Sequence, residues 1–398
     1  MKTISNRIQG LSESQTIAMS QKSAELKAQG KDIINLSVGQ PDFHTPDHIK
    51  QAAIQAIHDN YTSYTPVPGY RELREAIAGK LQQENNLPYT WEQIVVSAGA
   101  KHSLANALMS VVDPGDEVIV PAPYWVSYVE QVKLAEGKSV VVPTHLDNNF
   151  KLQPEQLRQA ITEKTKVLML CSPSNPTGSI YSRQELRALA EVIAQANPNM
   201  YVISDEIYEY INFEGSHESI AQFEDIRNRV ILVNGVSKGF AMTGWRIGYM
   251  AAPANIAKAC SKLQGQVTSG ACSIAQRAAL SALTSDKSFT RQMKKAFKRR
   301  RDLVMEGMDQ MKGIKKYTPQ GAFYLFPDIS DFFGKSNGKR TIESDSDLCF
   351  YLLEEAQVAL VPGSAFGSPQ NIRLSYAASD EELKEALLRM KTYLDKLK

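Results

Sequence analysis

KVLMLCSPSNPTG at Lys166–Gly178, RQELRALAEVIAQA at Arg183–Ala196 and YVISDEIY at Tyr201–Tyr208 follow one another along the chain, and their rhythm decides the fold. The two apolar runs, Lys166–Leu170 and Tyr201–Ser204, are short and rich in Val, Ile and Leu, as buried strands are. The stretch between them has apolar residues at helical spacing. Strand, helix and strand in this order predict a unit of a parallel sheet.

Working outward, the same alternation recurs. Ile94–Ser97, Glu117–Val120, Ser139–Val142, Val230–Val233 and Ile247–Ala251 read as further buried strands, with helix-like stretches such as Lys101–Val112 between several of them. Unbroken apolar strands imply a sheet covered on both faces. The expectation is an α/β fold, with a mostly parallel seven-stranded sheet between helices. After about residue 290 the rhythm changes. A long amphipathic stretch at Phe289–Met311 leads into Gly321–Asp328, Val358–Val361 and Ile372–Ser375, and a closing helix near Asp380–Leu397. That pattern predicts a smaller α+β domain, with Gly334–Thr341 (GKSNGKRT) as an exposed loop. A chain of 398 residues is long enough for two such cores.

Bulk properties narrow the function. A net charge of +2 gives no electrostatic case for a nucleic-acid or membrane partner. The one basic run, Lys294–Arg301 (KKAFKRRR), is interleaved with apolar residues and reads as the solvated face of a helix. Cys171, Cys260, Cys272 and Cys349 form no C-x-x-C pair and have no histidines at ligand spacing nearby, so no metal site is expected. A reduced compartment, a polar N-terminus and the absence of a long apolar stretch point to the cytoplasm.

Most of the candidate chemistry lies just after strand ends, where ligands of doubly wound sheets bind. Ser237-Lys238-Gly239-Phe240, followed by Thr243-Gly244-Trp245-Arg246-Ile247-Gly248, offers an amine among small residues, with a hydroxyl and a fixed cation for a phosphate. Alone, Lys238 would read as a surface lysine. Asp205 could hold a positively charged ring nitrogen, with Tyr208 three residues on; alone, it would read as a helix cap. Ser172–Gly178 (SPSNPTG) is a rigid turn that can present Asn175. Ser97–Lys101 (SAGAK) is a strand-to-helix turn whose backbone N–H groups suit an anion. Neither G-x-G-x-x-G nor a P-loop is present, which argues against a dinucleotide or nucleotide fold.

The series of motifs resembles the class I aminotransferases of pyridoxal-5′-phosphate (PLP) fold type I. The likeness runs from Asn35–Phe43 (NLSVGQPDF) through SPSNPTG, SDEIY and SKGFAMTGWRIGY to Asn371–Tyr376 (NIRLSY). It implies that Lys238 binds PLP as a Schiff base and shuttles the substrate proton. Asp205 pairs with the ring nitrogen, Tyr208 and Asn175 bond the phenolic oxygen, and Trp125 stacks on the ring. Ala100, Lys101, Ser237 and Arg246 hold the phosphate, and Tyr64 reaches the phosphate of a neighbouring subunit in a homodimer. Arg373 clamps the substrate α-carboxylate beside the Gly39 N–H, with Trp125 and Asn175 also in contact.

The stretch Ser14-Gln15-Thr16 and the Lys101 side chain resemble the bacterial γ-subgroup of aspartate aminotransferases, in which such residues receive the distal carboxylate. The implied reaction moves the amino group of L-aspartate to 2-oxoglutarate by a ping-pong mechanism. Ser12 stands where prephenate-using members carry a basic residue, which argues against prephenate. An alanine- or aromatic-specific aminotransferase, or a C–S lyase of the same fold, would share Lys238, Asp205 and Arg373. The resemblance also divides the chain into a large PLP domain at 46–288 and a small domain of 1–45 with 289–398.

Overall fold

The protein is described from a computed structural model covering residues 4–13 and 15–398. Strands β1 (Ile94–Ser97), β2 (Glu117–Ala122), β3 (Lys138–Pro143), β4 (Thr165–Cys171), β5 (Tyr201–Asp205), β6 (Val230–Gly235) and β7 (Gly248–Ala251) build one seven-stranded sheet. Their spatial order is β1-β7-β6-β5-β4-β2-β3. β7 runs antiparallel to β1 and β6, and every other pairing is parallel.

Successive strand residues face opposite sides of the sheet, and both sides are covered except at the edge strand β3. There only Val142 is buried and Val141 is exposed, so Ser139–Val142 is not the buried strand expected. Val95, Val118, Val167, Met169, Ile203 and Ile231 pack under helices Ala100–Val111, Ser127–Leu134 and Ala254–Val267. Val96, Ile119, Leu168, Leu170, Val202 and Leu232 pack under Asp47–His58, Arg71–Asn85, Arg183–Gln195 and Ser273–Thr284. This double burial is why the strands read as unbroken apolar runs. Truncating one of these side chains, as in Leu168→Ala, would cost about 2–5 kcal/mol through lost burial and the cavity left behind.

A third core joins the two ends of the chain. Met19, Leu26, Ile33 and Leu36 meet Met293, Phe297, Phe323, Leu352 and Leu394. Ile34–Asn35 pairs in parallel with Val358–Ala359. Ile372–Ser375 lies between Val361–Pro362 and Tyr324–Leu325, antiparallel to both. The long helix Ser288–Asp309 and the closing helix Asp380–Leu394 flank these strands. The basic run on the former is solvated at Lys295, Lys298 and Arg299, as expected, and departs from that reading at its end. Arg300 and Arg301 are buried: Arg300 binds Asp42 through both terminal nitrogens at 2.7 and 2.8 Å, and Arg301 binds Asp302 and the Pro319 carbonyl. Arg301 is answered by the adjacent Asp302, whereas Asp42, which answers Arg300, stands 258 residues away in the chain.

Register places the chemistry. Cys171 pairs with Asp205, and Asp205 with Val233, so β4, β5 and β6 end at one edge of the sheet. The turns carrying Asn175, Tyr208 and Lys238 leave from that edge.

Candidate active site

A cavity of about 330 Å³ opens at this edge. Thr16, Gly39, Ala100, Lys101, Trp125, Asn175, Asp205, Tyr208, Ser237, Lys238, Arg246 and Arg373 all line it. Of the residues singled out from the sequence only Tyr64 stands apart, on the surface and 98% exposed. Thr16 lies in the first turn of helix Gln15–Ala28; Ser14, from the same stretch, lies outside the described residues.

The floor is acidic and tightly held. Asp205 ends β5 and is buried; its Oδ1 accepts from the Ile207 N–H at 3.3 Å and its Oδ2 from the Tyr128 hydroxyl at 2.7 Å. Burial pushes its pKa up to about 6, while those two donors hold it down. Sequence reasoning missed Tyr128. A signal was available: it follows Trp125 by three residues at a helix start, a spacing that puts both on one face. Their rings meet edge to face at 5.5 Å.

Lys238 reaches into the cavity and donates to the Gly39 carbonyl at 2.5 Å. Burial first, then the cations Arg373 and Arg246, bring its pKa down to about 8. A useful fraction is therefore a neutral, nucleophilic amine near neutrality.

Beside it lies an anion cradle at the start of helix Ala100–Val111. Gly99 takes φ +87°, and a Cβ there would collide with the Arg246 guanidinium; one on Gly248 would collide with the Ala100 N. Only glycine lets helix start and arginine come so close. Arg246, itself left-handed at φ +57°, is fixed by bonds to the Thr243 carbonyl at 2.9 Å and the Ala98 carbonyl at 3.3 Å.

Arg373 is almost wholly buried in strand Ile372–Ser375. It gives Nη1 to Asn175 Oδ1 at 2.9 Å and Nη2 to the Ser37 carbonyl at 2.6 Å. Asn175 accepts through its oxygen, so its amide nitrogen stays free to donate. Arg373 Nε is buried without an acceptor. Lys101 Nζ lies 4.9 Å from the centre of the Trp125 ring. Burial, with Arg246 nearby, lowers its pKa, and among the described residues no acid pairs with it.

The profile of the family described as Aminotransferase class I and II matches residues 31–390 of this chain. The chain belongs to that family. A probable aspartate/prephenate aminotransferase of Rhizobium leguminosarum bv. phaseoli is 48% identical, with 99% of each chain covered. Among solved structures, the aspartate aminotransferase of Rhizobium meliloti superposes with a TM-score of 0.96 at 43% identity over the whole of both chains. That of Thermus thermophilus with maleate gives 0.93 at 42% identity, covering 99% of this chain and 100% of its own.

The protein is thus a PLP-dependent aminotransferase of fold type I. Its donor set fits the cofactor: a neutralisable amine for the carbonyl, a buried acid for the ring nitrogen, an aromatic wall, and the Gly99–Arg246 cradle for the phosphate. No helix among the described residues is long and apolar enough to cross a membrane, and none of their acidic, His or Cys side chains cluster as a metal site.

Proposed function

We propose that this aminotransferase moves the amino group of L-aspartate to 2-oxoglutarate, giving oxaloacetate and L-glutamate in a ping-pong exchange through Lys238. One observation carries the reading: the cavity is lined by two cations, Arg373 and Lys101, and among the described residues no acid pairs with either. A dicarboxylate satisfies both, and an apolar side chain would leave Lys101 unanswered. The maleate carried by the Thermus thermophilus structure is a four-carbon dicarboxylate, which agrees. Thr16, on the same wall, adds a hydroxyl for the distal carboxylate.

Bound PLP supplies an electrophilic carbonyl carbon and an electron-accepting ring. Asp205 holds the proton on the ring nitrogen, and Tyr128 keeps that carboxylate ionised. Tyr208 and the Asn175 amide nitrogen donate to the phenolic oxygen, and Trp125 covers the ring face. Backbone N–H groups of Ala100 and Lys101, with Ser237 and Arg246, bind the phosphate. Arg373, beside the Gly39 N–H, orients the α-carboxylate so that the α-carbon proton faces Lys238. The Lys238 amine then takes that proton as general base.

Two further readings rest on the same geometry. Tyr64, almost fully exposed on one chain, reaches the phosphate site of a second copy, which makes the enzyme a homodimer. The third core draws mainly on 1–45 and 289–398, with Ile207, Tyr208 and Ile211 reaching in from the large sheet, and this supports a large domain at 46–288 and a small one of 1–45 with 289–398. Prephenate is left out of the reading: at Ser12 no cation is offered, and its N–H donates to Glu130 at 3.0 Å.

The test is direct. Purified protein should absorb in the visible, and Lys238→Ala should lose that band together with transamination. Half-reactions with aspartate and glutamate should outpace those with alanine and tyrosine. Lys101→Ala should slow the dicarboxylates at least about tenfold more than alanine; an equal loss on alanine would sink the assignment of Lys101.

A further inference from the structure

Tyr324 lines the cavity, yet nothing above gives it a task. Its strand, Tyr324–Leu325, pairs with Ile372–Ser375 so that Tyr324 stands opposite Ser375. Arg373, two residues back, is therefore its diagonal neighbour on the same face. The Arg373 guanidinium lies 4.6 Å from the Tyr324 ring centre and 4.9 Å from that of Phe366, held between two aromatic rings. Both rings are fully buried, where a cation gains most from such contact.

The other end of Tyr324 points elsewhere. Its hydroxyl lies 2.8 Å from the Tyr208 hydroxyl, and both side chains are buried. Gly39 clears the space for it: a Cβ on that residue would stand 2.6 Å from the Tyr324 oxygen. The two phenols share one hydrogen bond, so only one of them keeps a proton for a third group. If Tyr208 donates to the cofactor's phenolic oxygen, Tyr324 must donate to Tyr208. A phenol that accepts a hydrogen bond becomes a stronger donor itself.

We propose that Tyr324 is a positioning residue that serves both halves of the site. Its hydroxyl orients and strengthens the Tyr208 donor, and its ring holds Arg373 in place for the substrate carboxylate. The inference rests on the role given to Tyr208 under the proposed function.

The experiment uses the holoenzyme and two readouts, the pH midpoint of its visible absorbance and the dissociation constant of maleate. A donor to the phenolic oxygen stabilises its negative charge and so weakens the hold on the neighbouring imine proton. Tyr208→Phe should therefore raise the absorbance midpoint. Tyr324→Phe keeps the ring and loses the hydroxyl. It should raise the midpoint by roughly 10–30% of the Tyr208→Phe change, with maleate binding within about twofold of wild type. Tyr324→Leu removes the ring as well and should weaken maleate about tenfold. In the double variant Tyr208→Phe/Tyr324→Phe the second change should add nothing to the midpoint, because the hydroxyl acts only through Tyr208. An additive midpoint in the double variant, or an unmoved one in Tyr324→Phe, overturns the proposal. So does a maleate affinity that falls as far in Tyr324→Phe as in Tyr324→Leu. A wild-type protein without visible absorbance would instead overturn the functional reading beneath it.

Discussion

Asp205 and Lys101 are ionisable groups on the wall of one cavity, and they are held in different ways. Asp205 ends a central strand, is buried, and has a donor on each oxygen. Lys101 sits in the first turn of a helix, open toward the mouth, with an indole face as its neighbour and no anion. The floor is thus complete within the chain, whereas the mouth is completed by what enters. Cofactor chemistry asks for fixed charge, and substrate choice asks for a charge left unanswered.

The largest expected effect breaks the floor. Asp205→Asn removes the charge that holds the ring proton, and kcat/KM should fall by ~10²–10³. The cofactor-free protein should respond in the opposite sense. Burial carries the Asp205 pKa from 3.8 to about 6 in the folded protein. The native state therefore holds more protons than the unfolded chain between those values, and stability falls as pH rises through that window. Above it the ionised group costs up to ~3 kcal/mol. Asparagine carries no such penalty, and its oxygen can accept from the Ile207 N–H while its amide nitrogen donates to the Tyr128 hydroxyl, so Tm of the cofactor-free variant at neutral pH should rise. A lower Tm with unchanged activity would mean that Asp205 is merely structural.

Lys238 comes next. With its pKa near 8, about a tenth of the amine is neutral at pH 7, on the order of 10² more than for an ordinary lysine. Recapture of PLP by cofactor-free protein, followed by the growth of visible absorbance, should speed up about tenfold per pH unit below 8 and level off above it. A rate still climbing at pH 10 would show that burial and the two arginines do not depress this amine.

Tyr128→Phe weakens the floor without removing its charge. One oxygen of a buried carboxylate loses its donor, so the Asp205 pKa moves further up, by about one to two pH units. The acid limb of the kcat/KM profile should shift upward with it, for a loss of about two- to tenfold at pH 7. A profile scaled down without a shift would count against the bond to Asp205.

How far the site could be read in advance follows the same division. Lys238, Asp205, Asn175 and Arg246 stand in compact motifs just past strand ends, and a parallel sheet brings strand ends together whatever the helices between them do. Six of the seven strands were legible for a related reason, since burial on both faces leaves them mostly apolar, and the exposed edge strand β3 was legible from its three valines. Tyr128 offered only its spacing from Trp125, and Tyr324 was not legible as a site residue. They meet Asp205 and Tyr208 across 77 and 116 residues of chain, and Gly321–Asp328 reads only as an apolar strand. The first contact is set by how helix Ser127–Leu134 packs on the large sheet and the second by how the third core docks on it. Burial of Arg300 and Arg301 escaped notice for the same reason.

The smallest effect concerns the mouth. An open cation acts through a solvent whose ions screen it over about 10 Å at 0.1 M salt, whereas a buried pair is screened far less. If Lys101 attracts the distal carboxylate, KM for aspartate should rise about two- to fivefold between low salt and 0.5 M salt. The KM for alanine, which meets Arg373 but offers Lys101 nothing, should move less. Lys101→Ala should flatten the aspartate response to that of alanine, because the screened charge is then gone. The acid limb set by Asp205 should keep its place as salt rises, since that carboxylate is buried on the cavity floor. If aspartate and alanine lost ground to salt equally, the discriminating charge would have to be Arg373, and the contrast between floor and mouth would fail.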